Sequence, residues 1–147
     1  MSPLAQLVAI DHALALGALR RSQIADFTVT PLARRRWLEC AADPGAGSVP
    51  ETCARVAMRA AGLHVVVQAP LGNGKRADFL VEGILYVEID GKSYHSDPGQ
   101  FTQDRRRDRG IVAERGSVIR FAYADAVYHP DRLVADVVAC LEAIRAR

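Results

Sequence analysis

The sequence is short of the features that announce a compartment or a cofactor class. Its 3 cysteines, Cys40, Cys53 and Cys140, are odd in number, widely spaced and form no CxxC pair. Neither a disulfide framework nor a zinc site follows, and reduced thiols in a cytoplasmic protein are the expectation. No apolar run reaches membrane-spanning length without a charge. The N-terminal run is broken by Asp11 and His12 and lacks a basic leader and a cleavage site, so no membrane partner is expected. Internal repeats and low-complexity tracts are missing too. Charge of one sign is also missing: the net value is +2, and bulk electrostatics alone do not demand a nucleic-acid partner.

What remains is a chain of 147 residues, 50% apolar, enough for one globular unit with a real core. Lysine occurs only at Lys75 and Lys92, so the basic residues are otherwise arginine, and they cluster. Arg20-Arg21, Arg34 to Arg36, and Arg105 to Arg107 with Arg109 form three groups. The planar guanidinium fork suits phosphate, although an Ala- and Arg-rich composition also follows from a GC-rich genome.

The most informative stretch is RADFLVEGILYVEIDGKSYH, Arg76 to His95. Two short β-favouring runs, ADFLV and ILYVEI, flank the turn dipeptide Glu82-Gly83 and predict a hairpin. Acids interrupt both runs. Asp78 opens the first; Glu88 and Asp90 close the second. Strand side chains alternate, so Glu88, Asp90 and an extended Lys92 share a face, and the antiparallel hairpin brings Asp78 beside them. Carboxylates converging at one end of a sheet repel one another and resist burial unless a cation joins them. A hard divalent ion, Mg²⁺ or Mn²⁺, held by Asp78, Glu88 and Asp90 resolves the conflict. A solvated strand end, with Asp90-Gly91 as a turn and Lys92 pairing Asp90, is the plainer alternative.

Elsewhere the elements follow from periodicity and punctuation. Residues 4–19 have helical spacing at Leu4, Leu7, Val8, Leu14 and Leu19, and a second helix is predicted over 31–41, anchored by Trp37 and Leu38. The breaker cluster DPGAGSVP separates this N-terminal helical extension, 1–47, from a core at 48–147. Ser48 and Glu51 fit a capping box for the next helix. Glu51 is read first as that cap and otherwise as an acid reaching the metal site. A strand from Leu63 to Leu71 follows, in which Gln68 borders Asp78 and has a supporting role open to it. His64 reads as structural. A helix over 100–115 carries Asp104, Asp108 and the third arginine group, with i,i+4 ion pairs. SVIRFAY is a fourth strand, whose Arg120 needs an acid or an anion as partner. A last helix, 130–145, has an apolar side from Leu133 to Ile144, with His129 at its start.

This order, with Asp at the head of the second strand and acids on the third, resembles the PD-(D/E)xK nuclease superfamily. Asp78 followed by Asp90-Gly91-Lys92 fits its motif, with Ala77 where the proline stands. A finer resemblance is to proteins related to very-short-patch repair endonucleases, including a large uncharacterised bacterial group. It rests on Asp78-Phe79, on ValGluIleAspGly at 87–91 with His95, on Asp104 with Arg107-Asp108, on Val118 to Phe121, and on Ser48, Glu51 and Arg55 upstream. The segment before Ser48 resembles the one that, in longer relatives, leads to a winged helix of the abortive-infection antitoxin type.

The resemblance implies an α/β fold with a restriction-endonuclease-like αβββαβ core, a mixed four-stranded sheet flanked by helices. It implies a metal-dependent endonuclease acting on DNA, in repair, restriction or defence, with a homodimer as the form suited to double-strand cutting. A catalytically inactive nucleic-acid-binding or toxin–antitoxin module of the same fold is the alternative. Two registers stay open: Asp90 and Lys92 as the acid–lysine pair, or Glu88 as the metal acid with Asp90 in the lysine position. The repair-endonuclease relatives carry histidines where Asp90 and His95 stand, which implies roles for both. In either register His95 is the expected general acid/base, because imidazole titrates near neutrality, and Lys92 orients water or steadies the transition state. Arg105, Arg107, Arg109 and Arg120 are the expected phosphate contacts.

Overall fold

The structure, a computed structural model, describes residues 1–71, 74–90, 112–113 and 116–147. The chain is α/β: a mixed sheet with helices packed on it. Three helices precede the first strand, α1 (Pro3–Ala15), α2 (Leu32–Ala41) and α3 (Val49–Ala60), with a 3-10 turn at Arg21–Asp26 between the first two. The strands are β1 (Val65–Pro70), β2 (Arg76–Val81), β3 (Leu85–Asp90), β4 (Val112–Ala113) and β5 (Gly116–Ala122). Two helices close the chain, α4 (Tyr123–Tyr128) and α5 (Pro130–Arg145).

Strand order is β1-β2-β3-β5-β4. β1, β2 and β3 form an antiparallel meander, and β5 joins β3 in parallel. The sheet therefore has five described strands rather than the four expected. The extra one, Val112–Ala113, pairs antiparallel with Ser117 and Gly116, where the sequence predicted the end of the 100–115 helix. Residues 112 and 113 satisfy the open backbone edge of β5, and that tertiary demand outweighs local helix preference. The remainder of that expected helix lies outside the described residues.

Binary alternation organises the sheet. Ala77, Phe79 and Val81 on β2 and Leu85, Val87 and Ile89 on β3 are buried, and all but Ala77 join one cluster with Ala54 and Met58 of α3 and Leu133, Val137 and Leu141 of α5. Each such large side chain contributes roughly 1.5–3 kcal/mol through burial. The intervening residues Asp78, Leu80, Tyr86 and Glu88 are half-buried on the other face, with Asp90 exposed. At the hairpin, Glu82 and Gly83 both take positive φ, 51° and 71°, as a mirror-image turn requires, and Ile84 N–H donates to the Val81 carbonyl at 3.1 Å. Glu82 tolerates that backbone because its carboxylate is used: one oxygen accepts from His64 N–H at 2.7 Å, the other faces Arg145 at 3.6 Å.

A second apolar cluster, Leu7, Ile10, Ile24, Leu38 and Ala42, lies among α1, the 3-10 turn and α2, with Val56 of α3 against it. Trp37, expected to anchor α2, is instead 37% exposed, while its neighbour Leu38 is fully buried. One helical step of about 100° separates the two, and the core takes Leu38. α1 stops at Ala15 rather than residue 19, because Leu16 caps it and Gly17, at φ 70°, supplies the left-handed step that ends helices. A buried ion pair ties α1 to α3: Arg55 Nη2 donates to Asp11 Oδ2 at 2.6 Å, with the side chains 0% and 1% exposed. Asp11 also accepts from Thr52 Oγ1 and from Asp43 N–H, both at 2.8 Å. No described helix is long and apolar enough to cross a membrane.

Candidate functional site

The paired ladder between β2 and β3 ends at Phe79 and Val87. One residue further, a side chain takes over the rung: Asp78 Oδ2 accepts from Ile89 N–H at 2.7 Å. On the other side of β3 the parallel register sets Glu88 beside Arg120, and Arg120 Nε donates to Glu88 Oε2 at 2.7 Å. The sequence required an acid or an anion for Arg120, and Glu88 supplies the acid.

Asp78, Glu88 and Asp90 line one open pocket of about 400 Å³ together with Arg76, Ile89 and Arg120. The period-two spacing thus brings the three expected acids to a common depression at one end of the central strands. Arg76 had not been singled out. It sits two residues before Asp78, and that spacing on a strand was the signal for it.

The acids are close but not gathered into a finished cage. Among the described residues, no three His, Cys, Asp or Glu side chains are grouped as a ready-made metal site. Glu88 is turned to Arg120, and one Asp78 oxygen is turned to Ile89. Burial raises the Asp78 pKa above the ordinary carboxylate value, the Ile89 N–H opposes that shift, and the charges of Glu51 and Glu88 add to it.

Glu51 acts as the predicted cap. Ser48 Oγ accepts from Glu51 N–H at 3.4 Å and donates to Glu51 Oε1 at 2.6 Å, while Glu51 Oε2 accepts from Gly47 N–H at 3.1 Å. Both of its oxygens are engaged in the cap, and it does not line the acid pocket. Gln68 stands on β1 between the pairs Val67–Phe79 and Ala69–Ala77, in register with Asp78, as expected. Its φ of 53° places a non-glycine residue in left-handed backbone in mid-strand, a local strain in the strand that borders β2. Gln68 does not line the pocket itself. Lys92, His95, Arg105, Arg107 and Arg109 lie outside the described residues.

No family model matches the chain, and no curated protein and no solved structure shows significant similarity to it.

Proposed function

We propose that the protein is a metal-dependent endonuclease hydrolysing phosphodiester bonds in DNA, with a core of the restriction-endonuclease-like kind. The supporting observation is the shared pocket of Asp78, Glu88 and Asp90, flanked by Arg76 and Arg120. An all-oxygen, anionic donor set suits a hard cation such as Mg²⁺ or Mn²⁺ and not a soft one. The raised Asp78 pKa marks a place where carboxylate charge lacks compensation. Asp78, Glu88 and Asp90 are the residues that would hold the ion. When bound, a divalent ion there supplies a Lewis acid and an activated water.

The chain's own groups do the rest. Arg76 and Arg120 bind and orient the phosphodiester, with Arg105, Arg107 and Arg109 as further phosphate contacts. Lys92 steadies charge on the phosphoryl oxygens, and His95 moves the proton between water and leaving group. The place of action is the cytoplasm, and a homodimer is the form that would cut both strands.

The ion pair that occupies Glu88 favours a second reading, a nucleic-acid-binding module that has kept the fold without the chemistry. One experiment separates the two. Supercoiled, linear, mismatched and single-stranded DNA are incubated with the protein in Mg²⁺ or Mn²⁺, beside Asp78→Ala. The nuclease reading expects cleavage that falls on the order of a hundredfold or more in the variant. Salt-sensitive DNA binding without Mg²⁺ and no cleavage with it supports the binding module instead.

A further inference from the structure

The pairing of Glu88 with Arg120 is a specific arrangement. Parallel pairing of β3 with β5 makes residues 88 and 120 direct neighbours, and both side chains open onto the acid pocket. The contact uses only Nε of the guanidinium, at 2.7 Å, and among the described residues the two terminal nitrogens make no hydrogen bond. Arg120 is 60% exposed and Glu88 31%, so the pair is loosely held and the arginine can swing outward without a packing cost.

We propose that Arg120 is an internal stand-in for the divalent cation, displaced by it and thereby released to grip a phosphate. The proposal rests on the metal-dependent reading above and adds an order of events to it. In the cation-free protein Arg120 neutralises Glu88. A divalent ion reaching Asp78 and Asp90 as well as Glu88 outcompetes a single positive charge that reaches Glu88 alone. The freed guanidinium, with its donors unengaged at the rim of the same pocket, then meets the phosphodiester. Cation and nucleic acid therefore bind with positive coupling, and by linkage each raises the affinity of the other by the same factor.

The test reads binding rather than turnover, on the full chain. Mn²⁺ affinity is measured by the loss of its free-ion paramagnetic resonance signal. Affinity for a phosphorothioate duplex that resists cleavage is measured by fluorescence anisotropy, with and without Mn²⁺. Both are run on the native protein, Arg120→Ala and Glu88→Gln. Without DNA, Arg120→Ala is expected to bind Mn²⁺ about fivefold more tightly or better, since the competitor is gone, and Mn²⁺ should no longer strengthen its hold on the duplex. Glu88→Gln, which keeps the side chain's shape, should bind the duplex without Mn²⁺ as well as the native protein does with it. A pair that only staples two strands moves neither readout. Arg120→Ala binding Mn²⁺ no better than the native protein, with the ion still strengthening duplex binding, overturns the exchange and leaves the metal reading standing. Mn²⁺ bound by neither protein overturns both.

Discussion

Two of the arginine–carboxylate pairs among the described residues stand in opposite surroundings. Asp11 with Arg55 and Glu88 with Arg120 are alike in chemistry and nearly alike in length, 2.6 and 2.7 Å. Their surroundings differ. The first is sealed from water, and its carboxylate is fully employed by Thr52 and Asp43 besides. The second opens onto the acid pocket, with most of Arg120 in solvent. A desolvated pair with its remaining lone pairs satisfied cannot be half-broken cheaply, whereas an exposed one exchanges partners easily. The first pair holds α1 to α3. The second lies exposed in the lining of the pocket.

The comparison breaks most visibly at the buried pair. Arg55→Ala or Asp11→Ala leaves a buried charge unpaired and is expected to cost about 3–5 kcal/mol of unfolding free energy, measured by urea denaturation. Arg55→Met with Asp11→Leu should recover much of that loss, because the site then buries apolar volume; failure to recover would assign the pair a specific geometric role.

At the acid end the sign reverses. Asp78 has a raised folded-state pKa, so the folded protein binds its proton more tightly than the unfolded chain does. Its contribution is favourable below the unfolded carboxylate value and fades as pH rises through the folded one. Asp78→Asn, which still accepts from Ile89 N–H, should therefore raise the thermal midpoint at neutral pH, by less than the loss at Arg55. The gain should disappear when the melt is repeated in acid. A midpoint lowered at neutral pH would mean that the carboxylate is compensated by groups outside the described residues. Smallest of all is Arg120→Ala, expected to change stability by about 0–1 kcal/mol, against the several kcal/mol at its buried counterpart.

The same contrast explains what could be read from residue order alone. The convergence of Asp78, Glu88 and Asp90 on one depression was legible because a strand alternates with a period of two. The Ser48–Glu51 cap and the bounds of α5 were legible because capping and helical periodicity are local. Asp11 was not. It appeared only as an interruption of an apolar run, although it stands four residues after Leu7 and one after Ile10, on the stripe of α1 that turns inward. A charge in the core phase of a helix was the available signal, and its partner, Arg55, is 44 residues away. Trp37 misled for a related reason: hydrophobic size does not say which of two adjacent side chains faces the core. The pairing of Val112–Ala113 with β5 was hidden because it is decided by an edge that exists only after the sheet has formed. The short helix α4 went unseen behind it. Its cap, Asp125 accepting from Ala122 N–H at 2.9 Å, lies just past the expected strand, whose last residue, Tyr123, opens the helix instead.

The hydrogen bond from Ile89 to Asp78 leaves a trace that spectroscopy can follow. A carboxylate has two oxygens, and the main chain already claims one of them. Asp78 thus has one oxygen left for the pocket, and the rotation of its carboxylate is braked by β3 itself. Any occupant drawing on that carboxylate will polarise the Ile89 amide, so a single backbone resonance in the central strand should report, from inside the sheet, whatever arrives at its end.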